Sequence, residues 1–145
     1  MISIKNAFSE TEWLSLRSEL WPHCPKEQHL EEMKTYLSSG DKSIFLAFHE
    51  NTVIGFCECS IRHDYVEGST ANPTAYLEGI FVAVAFRKQR IATNLLQYAE
   101  IWAKKLGCHE LGSDANISNQ ASIDMHLSLG FIEKSRIVHF IKSIR

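Results

Sequence analysis

Apolar residues recur at helical spacing through Trp13, Leu14, Leu16, Leu20 and Trp21, and predict a first helix. Ser9 and Glu12 precede that run at the spacing of a capping box, Ser9 to accept from the backbone and Glu12 to reach back. Pro22 and Pro25 interrupt the pattern, and Pro25 suits the first turn of a second helix carrying Leu30, Met33 and Leu37, closed by Gly40. Strands are expected over residues 1–7, Ser43 to Phe48 and Thr52 to Ile61, the last two joined as a hairpin through His49-Glu50-Asn51. A polar, exposed loop runs from His63 to Thr74. Tyr76 to Val82 is a further strand, apolar enough to be buried on both faces except at Glu78 and Gly79. A glycine inside a strand often marks a bulge, which opens a gap between neighbouring strands. A basic turn, Arg87-Lys88-Gln89-Arg90, leads into an amphipathic helix that runs to Leu106 and closes at Gly107. Cys108 to Ser113 begins another strand, Asn116 to Leu129 a capped helix ending at Gly130, and Phe131 to Ile144 a final pair of strands. The order β-α-α-β-β-β-α-β-α-β-β, without linker, repeat or low-complexity stretch, predicts a single mixed α/β domain over residues 1–145.

Composition narrows the function classes. With 145 residues and 45% hydrophobic content the chain can bury a substantial core. A formal net charge of −2 and a pI of about 6.4 give no general attraction to nucleic acid or to an anionic membrane, so any charge-based recognition is local. No run of roughly 18 apolar residues occurs and the N-terminus lacks a signal pattern, which leads to the expectation of a soluble, cytoplasmic protein. Cys24, Cys57, Cys59 and Cys108 form neither a disulfide framework nor a metal-ligand spacing; buried free thiols and no metal are expected.

The chemistry-bearing stretch is Tyr76 to Thr93. A strand feeding a basic turn and then a helix N-terminus offers backbone N–H groups with no partner inside the helix, and such an end holds phosphate. Three cations at the helix start oppose the helix dipole unless an anion binds there, although a solvated cationic turn is the bland alternative. Arg87-Lys-Gln-Arg90-Ile-Ala92 resembles the pyrophosphate-loop motif of the GNAT acetyltransferases, Arg/Gln-x-x-Gly-x-Gly/Ala, with Arg90 in place of the usual Gly. Leu127-Ser-Leu-Gly-Phe131 resembles the family's second marker, a helix end of Leu-Gly-Phe, with His126 where many members carry a Tyr that protonates the departing thiolate. Leu20-Trp-Pro22, Ser60-Ile-Arg-His-Asp-Tyr-Val-Glu-Gly68, Leu77-Glu-Gly-Ile-Phe-Val82, Ser113-Asp-Ala115 and Met125-His126 are similar to bacterial aminoglycoside 6'-N-acetyltransferases.

That resemblance implies a GNAT fold: a central, mostly antiparallel sheet splayed between the fourth and fifth strands and flanked by about four helices. It implies acetyl-CoA as co-substrate and direct attack by an aminoglycoside amine in a ternary complex, with a homodimer as the assembly. By the same resemblance Trp21, Tyr65, Glu78 and Asp114 face the aminoglycoside, and the backbone of Ile80, Phe81 and Val82 pairs with the pantetheine arm. Lys88, Gln89, Arg90, Ile91, Ala92 and Thr93 hold the pyrophosphate beside Arg87, and Asn119 contacts the far end of the cofactor. Some relatives carry an acidic residue where Ser135 stands.

The residue types fit this chemistry. A polycationic sugar needs carboxylates for its ammonium groups and aromatic faces for its rings, and Glu78 is placed to take the proton of the attacking amine. Each residue also has a plainer role. Glu78 suits an ion pair across the sheet, Asp114 an N-cap, Trp21 the core and His126 an ordinary half-buried place on a helix. Two other functions stay open at this point: acetylation of another polyamine or a protein N-terminus, and a non-catalytic acyl-CoA sensor.

Overall fold

The structure, a computed structural model, describes residues 2–6 and 9–145. Its elements are β1 (Ile2–Lys5), α1 (Glu10–Leu20), α2 (Lys26–Ser38), β2 (Lys42–His49), β3 (Thr52–Arg62), β4 (Thr74–Val82), a 3-10 turn (Val84–Phe86), α3 (Ile91–Lys105), β5 (Leu111–Gly112) and α4 (Gln120–Ser128). Met1 and Ala7, the ends of the expected first strand, lie outside the described residues. The chain divides into two compact units, one ending at Ser113 and the other running from Asp114 to Arg145.

In the first unit five strands form one sheet in the order β1-β2-β3-β4-β5, antiparallel except for the parallel pair β4–β5. Alternation along β2 assigns its two faces. Ile44 and Leu46 cluster with Trp13 and Leu16 of α1 and Met33 of α2, while Phe45 between them meets Tyr98 of α3. The helices α1 and α2 therefore cover one face and α3 the other, which is why nine successive residues of β3, Val53 to Ile61, are all buried. On α3 the residues Ile91, Leu95, Leu96, Ala99 and Ala103 are buried, and each of the larger ones contributes roughly 1.5–3 kcal/mol by leaving water.

The pairing of β4 with β5 covers only Ala75↔Leu111 and Tyr76↔Gly112. Beyond that point Glu78 to Val82 keep β3 on one side and have no strand on the other among the described residues, which is the expected splay between the fourth and fifth strands.

Several expected details change. Ser9 is the N-cap of α1 but makes no side-chain cap: its hydroxyl donates to Glu12 Oε1 at 3.1 Å, and Glu12 Oε2 accepts from the Val53 N–H at 2.9 Å. A tertiary contact to β3 has outcompeted the local box. Pro25 stands one position earlier than expected, as the N-cap of α2.

The second unit contains α4 and no strand. The expected strand pair over Phe131 to Ile144 does not form, and its apolar residues from Ile132 onward are exposed, Phe140 at 91% and Ile141 at 101%. A strand needs a ladder partner, and this unit of one short helix and an irregular tail supplies none. Both α3 and α4 end in a Schellman turn. Gly107 N–H bonds Lys104 O at 3.1 Å and Cys108 N–H bonds Ala103 O at 3.0 Å; Gly130 and Phe131 do the same to Leu127 and His126. Gly107 and Gly130 have φ of +87° and +95°, the conformation that makes glycine the residue of choice there.

Candidate active site

The site begins with a bulge. Glu58 pairs with Gly79 and Cys59 with Leu77, so Glu78 is the extra residue on β4. Gly79 has a second reason to lack a side chain: a Cβ there would fall inside the Trp21 ring, 2.6 Å from Cζ2. Trp21, just past the end of α1, can thus bring the edge of its ring, Cη2 and Cζ2, against the strand beside the bulged carboxylate. Its ring is held by the Arg17 guanidinium at 4.8 Å, Phe56 at 6.1 Å and His29 at 6.5 Å.

Trp21 and Glu78 together line an open cavity of about 660 Å³, whose wall also includes Glu58, Arg17, Glu32 and Tyr36. Of these carboxylates, Glu78 and Glu58 are held differently. Glu78 accepts from Ser60 Oγ at 2.5 Å and from both Arg62 Nε at 3.2 Å and Nη2 at 2.9 Å, in a pair that stays partly exposed. The ion pair across the sheet, the plainer role of Glu78, is therefore present, and it coexists with a place on the cavity wall.

Glu58 is 1% exposed and accepts from Arg17 Nη1 at 2.8 and 2.9 Å and from Trp13 Nε1 at 2.8 Å. Burial pushes its carboxyl up to about 7, against the pull of Arg17 and Trp13. Arg17 also pairs with Glu32 and donates from Nε to His29 Nδ1 at 3.1 Å. Arg17, Glu58 and Arg62 carry no marker in the hydrophobic pattern, yet two had a signal. Arg17 shares one face of α1 with Trp13 and Trp21 at spacings of four, and Glu58 interrupts a buried run between two cysteines.

Cys24, His29 and Glu32 bring ligand atoms within 4.8 Å of one another. Arg17 Nε can only donate, so His29 Nδ1 accepts and the ring proton resides on Nε2. A protonated Nε2 is a donor rather than a metal ligand, and Glu32 is already engaged by Arg17.

The loop bearing Tyr65 is tied down by Glu110, which accepts from Thr70 N–H at 2.8 Å and from Ser69 Oγ and Thr70 Oγ1 at 3.0 Å each; these bonds hold its carboxyl below the usual range. Tyr65 itself is 80% exposed and does not line the cavity; its hydroxyl donates to Glu67 Oε2 at 2.5 Å, which pushes the phenol upward.

At the basic turn, Lys88 and Arg90 both have φ of +63°, and Arg90 is the N-cap of α3. The position where the motif carries Gly is thus one that glycine adopts without strain and arginine does not. Arg87 points back, its Nε donating to Val82 O at 2.8 Å and its guanidinium 5.2 Å from the Phe81 ring centre. It braces the end of β4. Lys88, Gln89 and Arg90 are exposed, Ile91 is buried and Ala92 and Thr93 are half-buried at the first turn of α3.

In the second unit, Asn119 caps α4 by accepting from Ser122 N–H at 3.1 Å. The cap role considered for Asp114 therefore belongs to Asn119, whose side-chain oxygen is engaged there. His126 is half-buried; its Nδ1 lies 2.7 Å from Ser122 O, an acceptor, so Nδ1 carries the proton, and its ring packs at 5.2 Å on Phe131. The Leu-Gly-Phe marker is accordingly a helix stop with a hydrophobic clasp between Phe131 and His126.

Residues 8–131 match the family model described as Acetyltransferase (GNAT) family. The chain belongs to the GNAT acetyltransferases. Among similar proteins is an aminoglycoside N(6')-acetyltransferase type 1 of Acinetobacter baumannii, 44% identical over 135 residues that cover 92% of each chain. The one from Salmonella typhimurium is 38% identical, with 90% of each covered. Among solved structures, aminoglycoside antibiotic 6'-N-acetyltransferase AAC(6')-Ih from Acinetobacter baumannii superposes with a TM-score of 0.93 at 42% identity, covering 100% of both chains. AAC(6')-Iy in complex with a bisubstrate analogue, CoA-S-monomethyl-acetylneamine, gives 0.92 at 35% identity, covering 99% of both. Among its described residues this GNAT chain has no helix long and apolar enough to cross a membrane.

Proposed function

We propose that this GNAT acetyltransferase transfers the acetyl group of acetyl-CoA to the 6'-amine of aminoglycosides by direct attack in a ternary complex. The observation that carries the reading is the bulged carboxylate Glu78 beside Trp21 on the wall of an open cavity, in a chain whose full-length relatives bear that activity in their names. An aminoglycoside presents several ammonium groups on sugar rings, and Trp21, Tyr65, Glu78 and Asp114 are the aromatic and acidic groups assigned to them. Glu78 takes the proton of the attacking amine directly or through water, and His126, when its ring carries a second proton on Nε2 beside the Nδ1–H held by Ser122 O, gives that Nε2 proton to the departing sulfur.

For acetyl-CoA, the edge of β4 at Ile80, Phe81 and Val82 is assigned to the pantetheine arm. Arg87, with the turn and first helical residues Lys88, Gln89, Arg90, Ile91, Ala92 and Thr93, is assigned to the pyrophosphate, and Asn119 to the far end of the cofactor. The family match at residues 8–131 crosses the boundary between the two units, which supports a single domain over 1–145. Free Cys57 and Cys59, with sulfurs 3.7 Å apart, suit a reducing cytoplasm. A homodimer is the assembly that would cover the exposed apolar tail.

Release of free CoA thiol, followed with a panel of amines, tests the reading. Aminoglycosides with a 6'-amine should be acetylated, and Glu78→Gln should lower turnover by roughly 10²–10⁴-fold. Acetylation only of simple polyamines or peptide N-termini would replace the acceptor, and binding of acetyl-CoA without turnover of any amine would make the protein a sensor.

A further inference from the structure

Two of the arginine–carboxylate pairs at the cavity, Arg17–Glu58 and Arg62–Glu78, differ in one respect that bears on what can enter it. Arg17 and Glu58 are both 1% exposed, so parting them would strand a buried charge. Arg62 and Glu78 are 41% and 27% exposed, and a pair so open to water is held only weakly. Arg62 also has somewhere else to rest: its guanidinium carbon lies 3.5 Å from the centre of the Tyr76 ring, a stacking contact that survives if the pair with Glu78 is given up. Glu78 lines the cavity and Arg62 does not, so a cation arriving through the cavity and Arg62 address the same carboxylate from different sides.

We propose that Arg62 is an exchangeable counter-ion and hence a specificity-determining residue: it neutralises Glu78 while no acceptor is bound and yields it to an acceptor ammonium. The inference rests on the acceptor reading above. A charged amine can replace a guanidinium at a carboxylate, whereas a hydroxyl in the same place cannot. Arg62 thereby filters acceptors by charge at this one position, and Ser60, which donates to the same Oε2, keeps the carboxylate oriented during the exchange.

Steady-state kinetics on the full chain with one aminoglycoside acceptor, for wild type, Arg62→Gln and Arg62→Lys, test this. Arg62→Gln should lower the acceptor KM by about threefold or more and leave the KM for acetyl-CoA unchanged, because the resident competitor has been removed. Arg62→Lys, which keeps the charge, should stay near wild type. In the same series an aminoglycoside with a 6'-hydroxyl instead of the amine should inhibit Arg62→Gln more strongly than wild type. An acceptor KM in Arg62→Gln that is unchanged or raised, in an active wild type, overturns the counter-ion role while leaving the function standing. A wild type that acetylates no aminoglycoside removes the function itself. A merely structural arginine would raise KM or depress the rate on removal, never tighten the acceptor alone.

Discussion

Arg90 shows how one residue stores a cost that its neighbours conceal. It sits at φ +63° as the N-cap of α3 without a side-chain cap, a conformation that costs an L-residue roughly 1–2 kcal/mol. Arg90→Gly should therefore raise unfolding free energy by about 1 kcal/mol in denaturant titrations. If the helix N-terminus and not the Arg90 side chain holds the pyrophosphate, the KM for acetyl-CoA should barely move. Loss of cofactor affinity in Arg90→Gly would reassign the grip to the guanidinium.

Glu58 makes a prediction of opposite character. Burial lifts its folded carboxyl from 4.5 to about 7, so between those values the folded chain holds a proton that the unfolded chain has released. Its contribution to stability is complete below about 4.5 and is lost as pH rises towards 7. Stability curves against pH for wild type and Glu58→Gln should diverge over that window, by up to about 1.4 kcal/mol per pH unit. Parallel curves would show that Arg17 and Trp13 hold Glu58 ionised throughout.

At the level of elements, the turn glycines and the strand glycine answer to different forces. The stops at Gly107 and Gly130 are local, and are legible because only glycine takes that φ at no cost. At Gly79 the tighter constraint is tertiary: beside the bulge in its own strand, the space a Cβ would need is filled by a tryptophan from the end of α1, 58 positions earlier in the chain. Gly79→Ala should push the Trp21 ring from its seat, costing about 1–3 kcal/mol in stability from overpacking. If that ring forms the acceptor wall, the acceptor KM should also rise by about tenfold while the KM for acetyl-CoA stays within about twofold. An unaltered acceptor KM would mean that the seat of Trp21 is a matter of packing alone. The capping box ahead of α1 is the converse case, a local signal overridden because Glu12 gained the Val53 N–H.

For the whole molecule, the proposed homodimer is tested at the exposed tail. Val138 and Phe140, at spacing two, would share one face of a strand, and they are 76% and 91% exposed. If a second copy pairs with this segment, light scattering should give twice the 16.5 kDa chain mass, and Val138→Lys with Phe140→Lys should yield monomer. A wild type of single mass at every concentration would remove the dimer.

The element order through α4, the helix stops, the basic turn and the candidacy of Glu78 are determined by the sequence itself, because each rests on spacing, turn chemistry or a charge inside an apolar run, whereas Trp21 read by its pattern alone is a core residue. The sequence alone does not decide which partner each charge takes. Arg62 could have faced water, Arg17 the surface of α1, and Asp114 rather than Asn119 the cap of α4; only the register of β3 on β4 and the seating of α1 on the sheet pair Arg62 with Glu78 and Arg17 with Glu58. The final strands fail for the same reason: alternation can be written into one segment, but a ladder requires a second strand, and whether one is present is a tertiary or quaternary fact.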